Sequence, residues 1–88
     1  MGSIRRLKKD INYLTDEIVQ HSLLINLLYK DNDDEIKKVI ETAMENRNDL
    51  IKRVNIRNQS KSEYKQIRED LIAKTDKAFE ELSKLTEK

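Results

Sequence analysis

Residues 4–29 read IRRLKKDINYLTDEIVQHSLLINLLY, and the spacing inside this stretch decides the fold. Ile4, Leu7, Ile11, Leu14, Ile18, Ile25 and Leu28 alternate steps of three and four, with His21 where the next apolar residue is due. That is a heptad seam on one long helix. The second half adds Val19, Leu23, Leu24 and Leu27 on the side away from the seam. A helix that is apolar nearly all round needs cover on more than one face.

Working outward, Ser3 is placed to cap the helix start, and the run Asp31-Asn32-Asp33-Asp34 ends it near Lys30, because short polar side chains bond their own backbone and favour turns. Asn32 and Glu35 have the spacing of a capping box. A second helix is expected over about 34–56, with an inward stripe of Ile36, Val39, Ile40, Ala43, Arg47, Leu50 and Val54. Met44 and Ile51 flank that stripe. The polar run 57–62 reads as a loop, and Ser60 with Glu63 repeats the capping spacing. A third helix, over about 62–86, carries Tyr64, Ile67, Leu71, Thr75, Ala78, Leu82 and Leu85, with Ile72 and Phe79 alongside.

Three helices of about 20 to 27 residues with short connections predict a single all-α domain, an up-down-up three-helix bundle. Composition agrees. Charged residues make up 40% of the 88, there is no proline and there is one glycine, so turn-rich β architectures lack their punctuation. The absence of cysteine excludes disulfides and thiolate metal sites. No signal peptide or membrane span is expected, since the longest apolar runs are short, and a cytoplasmic location follows as the default. Eighteen basic and 17 acidic residues give a net charge of +1, so no global field draws the chain to nucleic acid or an anionic membrane.

Folding the helices back on their loops pairs Leu14 with Leu50 and Ile67, Ile25 with Val39 or Ile40 and Ala78, and Leu28 with Ile36 and Leu82. The same registration sets His21 against Ala43 and Thr75, which leave room for an imidazole and offer it a hydroxyl. His21, Arg47 and Thr75 are therefore the candidate buried polar groups, with His21 a register-fixing core residue or, in the sharper alternative, a pH-sensitive packing switch. Arg47 lies level with Asp16, Glu17 and Asp70 and is expected to pair with one of them. Glu17 and His21 stand one turn apart, but no second histidine completes a helical-bundle metal site. No nucleophile with an adjacent base and no glycine-rich phosphate loop occurs, so neither a cofactor nor an enzymatic activity is expected.

Two surface features remain. Arg5, Arg6, Lys9, Arg53 and Arg57 belong to a basic end of the bundle that could hold an anion or nucleic acid, with Tyr13 and Tyr64 as its aromatics. The acidic residues Asp31, Asp33, Asp34, Glu35, Glu80 and Glu81 gather at the other end. The sharper feature is the back of the first helix, where Val19, Leu23, Leu24 and Leu27 point away from both neighbours. Association through this face, with a second copy as a homodimer or with another helical protein, is the expected role, and anion or nucleic-acid binding the alternative.

The run Asn46-Arg47-Asn48-Asp49-Leu50-Ile51, with Lys9-Asp10-Ile11 and Tyr13-Leu14 upstream and Tyr64, Ile67-Arg68 and Asp70-Leu71 downstream, resembles a family of short uncharacterised helical proteins from Bacteroidetes bacteria. The resemblance covers nearly the whole chain. It implies a bacterial, cytoplasmic three-helix bundle and assigns no residue a role.

Overall fold

The computed structural model of the chain describes residues 2–56 and 58–86, without the side chains of Gly2, Ser3 and Lys30. Helix α1 spans Gly2–Leu28, α2 spans Asp33–Val54 and α3 spans Lys61–Leu85, with a single 3-10 turn at Lys30–Asn32 between the first two. The helices form a three-helix bundle, a rod of 47 × 18 × 15 Å. α1 begins at Gly2, ahead of the expected Ser3 cap, whose side chain lies outside the described residues.

The core forms two clusters along the rod. The first joins Leu7 and Ile11 of α1, Leu50 and Val54 of α2, and Ile67 and Leu71 of α3, with Leu14, Ile51 and Tyr64 packed against it. The second joins Ile18, Ile25, Ile36, Val39, Ala43 and Leu82, with Ile40, Ala78, Phe79 and Leu85 beside it. The start of α1 thus meets the end of α2 and the start of α3, the antiparallel order that short loops impose.

The heptad reading of α1 needs correction. Buried residues fall at Leu7, Ile11, Thr15, Ile18, Ser22 and Ile25. Leu7 to Ile25 is 18 residues, five turns of about 3.6 residues, so the seam follows a straight α-helix and not a 3.5-residue supercoil. A heptad row drifts by about 20° per repeat on such a helix. The row Leu7, Leu14, His21, Leu28 accordingly turns outward: Leu7 is 2% exposed, Leu14 is half-buried, His21 is exposed, and Leu28 is 65% exposed. His21 is therefore not a core histidine. It meets the ring of Phe79 edge-on instead, with centroids 5.5 Å apart and planes at 71°. Leu28 likewise does not join Ile36 and Leu82, although Leu14 and Ile25 have the neighbours expected of them.

Small polar residues occupy the core positions that the outward row vacates. The hydroxyls of Thr15, Ser22 and Thr75 donate to the carbonyls of Ile11, Ile18 and Leu71 at 2.7, 2.6 and 2.7 Å. Each is satisfied by its own helix, four residues back, and asks nothing of a neighbouring helix. Thr75 is buried, as its sequence position predicts. Asn26 is less well served: its Oδ1 is buried without a hydrogen-bond partner among the described residues, a cost of about 1–3 kcal/mol.

The connections differ in chemistry. Asn32 does not cap α2 as its spacing with Glu35 predicts. It is buried, and its Nδ2 donates weakly to the carbonyls of Tyr29, at 3.5 Å, and Leu85, at 3.4 Å, tying the first corner to the end of α3. At the second corner Ser60 does cap: its Oγ accepts from the Glu63 amide at 3.3 Å. Asn58 takes the left-handed conformation, φ 62°, that asparagine tolerates well. Gln59 Nε2 donates to the carbonyls of Arg53 and Ile56 at 2.7 and 2.9 Å, occupying acceptors at the end of α2.

Leu82 has no exposed surface and lies in the second cluster. In urea denaturation Leu82→Ala is expected to lose about 2–5 kcal/mol. Ser22→Ala, at an equally buried site, should stay within about 0.5 kcal/mol of the parent, because the lost hydroxyl takes no cross-helix bond with it and alanine favours the helix.

Candidate functional site

The outer side of α1 carries a run of exposed apolar side chains. Leu23, Leu24, Leu27 and Leu28 are 55%, 50%, 67% and 65% exposed, and Tyr29 continues the strip at the helix end. Val19 is half-buried and forms its margin. At about 100° per residue, Leu27 stands about 180° from Ile18. Ile18 is buried between the three helices, so the strip faces directly away from α2 and α3. Leu28 was assigned to the seam by its spacing; the straight helix moves it into this ridge.

A groove runs along the opposite side, between α2 and α3, and encloses about 610 Å³. Its floor is Thr15, Ile18, Ala43, Leu50, Thr75 and Ala78. The cause is side-chain volume. With His21 outside, the layer that holds Thr15, Ala43 and Thr75 has nothing larger to fill it, and α2 and α3 stand apart above α1. The rim carries Lys38, Arg47, Lys74, Lys77 and Lys84, against Glu35 and Glu81.

Arg47 is half-buried beside this groove, but its partners are not those expected. Nε donates to Asn12 Oδ1 at 2.8 Å and Nη1 to Asn48 Oδ1 at 3.1 Å. Neutral amides anchor the guanidinium and leave its charge uncancelled. Asp70, one of the three carboxylates expected for Arg47, is taken by Arg53 at 2.8 Å, with Asp49 4.0 Å from the same guanidinium and Lys74 3.8 Å from Asp49. Hydrogen bonds from Arg53 and from Gln66, the latter at 3.0 Å, hold the Asp70 carboxyl below its ordinary value of 3.8.

This arrangement divides the expected anion site. Arg5, Arg6 and Lys9 do come together, lining with Asp10 and Tyr13 a shallow pocket of about 440 Å³ on α1. Arg53 is committed to Asp70, and Arg57 lies outside the described residues. The expected setting of His21 against Ala43 and Thr75 does not form, because His21 is exposed against Phe79.

The geometry defines an all-α three-helix bundle with an exposed leucine ridge on one side and a cation-rimmed apolar groove on the other. Compared with models of known families, with curated proteins and with solved structures, the chain matches none. Among the described residues no helix is long and apolar enough to cross a membrane.

The groove was not anticipated from the sequence. Its signal was present in the small residues Ala43, Thr75 and Ala78, but those gain meaning only once His21 is known to leave the layer. The lowered Asp70 value fixes a pH dependence. A group whose folded-state value is depressed contributes stability that is complete above the unfolded-state value and is lost as pH falls through the folded-state one. Asp70→Asn should therefore be less stable than the parent at neutral pH, with the gap closing as urea titrations are repeated below pH 3.8. A gap that stays constant across that range would assign the loss to something other than the Arg53 pair.

Proposed function

We propose that this chain is a non-enzymatic protein-interaction module that self-associates through the outer face of α1, using Leu23, Leu24, Leu27 and Leu28 with Val19 at the margin. The observation carrying this reading is the exposure of the two leucine pairs, Leu23–Leu24 and Leu27–Leu28, on the side of α1 that faces away from both other helices. Exposed apolar patches of this kind mark interaction sites, and a helix face with anchors at four-residue spacing fits a helical counterpart. The simplest product is a homodimer, and a helical surface of another protein is the other occupant of the same kind. The resemblance to small helical proteins of Bacteroidetes is carried by sequence residues alone and adds a bacterial, cytoplasmic setting to the proposal.

Anion or nucleic-acid binding is the second reading, favoured by the meeting of Arg5, Arg6 and Lys9 beside Tyr13. Arg53 is committed to Asp70, which leaves those three as the cations of the set that meet among the described residues. Binding of this origin should weaken steeply with salt. A chain that is not retained by a single-stranded DNA or RNA oligonucleotide at low salt does not have this function.

Light scattering across a concentration series tests the first reading, on the parent and on Leu23→Glu with Leu27→Glu. Both substituted positions are more than half exposed, so the variant should keep its fold by circular dichroism. The parent is expected to gain mass with concentration and the variant to remain a folded monomer. A parent that stays monomeric throughout, or a variant that unfolds, removes the proposal.

A further inference from the structure

We propose that the surface receiving the α1 ridge is the groove between α2 and α3 of a second copy, so that copies join ridge into groove and not ridge to ridge. This rests on the self-association reading and names the counter-surface that the reading lacks. Three observations carry it.

The first is fit. The groove follows α2 from Glu35 to Leu50 and α3 from Leu71 to Leu85, which at about 1.5 Å per residue is about 21 Å of wall on each side. The ridge from Val19 to Leu28 is about 14 Å long on the same scale. It enters the groove lengthwise with room for its flanks. Small floor residues such as Ala43, Thr75 and Ala78 admit leucine side chains that larger residues would exclude.

The second is charge. The groove rim offers Lys38, Arg47 and Lys77, with Lys74 and Lys84 already 3.8 Å from Asp49 and Glu80, against Glu35 and Glu81. The ridge has the opposite sign at its ends, with Asp16 and Glu17 exposed before it and Asp31, Asp33 and Asp34 exposed after it. Lys30 is the one lysine or arginine between Lys9 and Lys37. Pairing two ridges would set like charges together. An antiparallel pair turns the Asp16 and Glu17 end of one copy toward the acidic corner of the other, and a parallel pair sets each carboxylate beside its own counterpart. The groove is the one of the two surfaces whose charge complements the ridge.

The third is direction. Ile18 forms part of the groove floor and Leu27 stands about half a turn away from it on α1. Ridge and groove therefore face opposite ways, and one copy cannot use both on the same neighbour. Such a contact is heterologous, so it joins copies head to tail into a series of more than two in place of a two-fold dimer.

Two blocked forms test the arrangement. The ridge-blocked form is Leu23→Glu with Leu27→Glu. The groove-blocked form is Lys38→Glu with Lys77→Glu, both at exposed rim positions, and Thr42→Trp is a second groove-blocked form that fills the opening from another exposed position. Circular dichroism melts establish that each is folded, and light scattering gives the masses. The parent is expected to grow beyond two chains with concentration, and each blocked form alone to remain monomeric. An equimolar mixture of ridge-blocked and groove-blocked forms should stop at two chains, because only one intact ridge and one intact groove remain. A parent that stops at the dimer, with groove-blocked forms still dimerising, overturns this proposal while leaving self-association standing. A mixture that stays monomeric when the parent assembles also overturns it. A parent that is monomeric at every concentration overturns both.

Discussion

The structure depends on one geometric constraint, the 3.6-residue turn of a straight α1. Buried positions Leu7, Ile11, Thr15, Ile18, Ser22 and Ile25 stay in line because steps of four outnumber steps of three. The same turn carries Leu14, His21 and Leu28 progressively outward. A supercoiled α1 would have kept that row inside, placed an imidazole at the middle of the core and buried a leucine that now stands in solvent. The composition of the core, the exposure of Leu28 and the gap between α2 and α3 all follow from that one choice of period.

The core that results is apolar at both ends and lean in the middle. Leu7, Ile11, Leu50 and Ile67 fill one end, and Ile25, Ile36 and Leu82 the other. Thr15, Ser22 and Thr75 fill far less volume, and their hydroxyls turn back onto their own helices. Close packing is lost where Thr15 and Thr75 meet Ala43, and the groove opens there. Ion pairing does little to fill it. The Arg53–Asp70 pair links α2 and α3 nearer the first cluster, whereas Arg47 holds to Asn12 and Asn48. Of the rim cations, Lys74 and Lys84 sit 3.8 Å from Asp49 and Glu80, whereas Arg47 is held by neutral amides.

Much of the fold was legible in the sequence, because it is written in periodicity and turn chemistry. The stripes of α2 and α3 were readable from Ile36, Val39, Ala43, Leu50 and Val54 and from Ile67, Leu71, Thr75 and Leu82, since each follows the helical period over several turns. The Ser60 cap was readable from its spacing to Glu63, whereas the same spacing at Asn32 misled, because a 3-10 turn buries that side chain against the end of α3. In α1 the apolar residues fit a 3.5 and a 3.6 period almost equally well, and His21 was decided by which one packing selects. The outward direction of Leu23, Leu24 and Leu27 survives either choice, so the ridge was legible. The groove was not, because it is an absence of volume shared among three helices, and the identity of Arg47's partners depends on rotamers that spacing does not fix.

The hydroxyl belt bears on how the bundle comes apart. Thr15 and Thr75 bond within their own helices, so the hydroxyls of the middle layer tie no helix to the next, and the Arg47 hydrogen bond to Asn12 joins α2 to α1 beside it. The two apolar clusters are therefore weakly coupled units. Loosening one end of the rod exposes its own cluster without first dismantling the other, and amide protection should fall into two groups along the chain. The end that holds Asn32 and Leu82 has a tie across 53 residues between the first corner and the carbonyl of Leu85. The opposite end relies on Ser60 and Gln59, whose hydrogen bonds are local. Sequence-distant closure at one end and local closure at the other make this small bundle two halves that open on different terms.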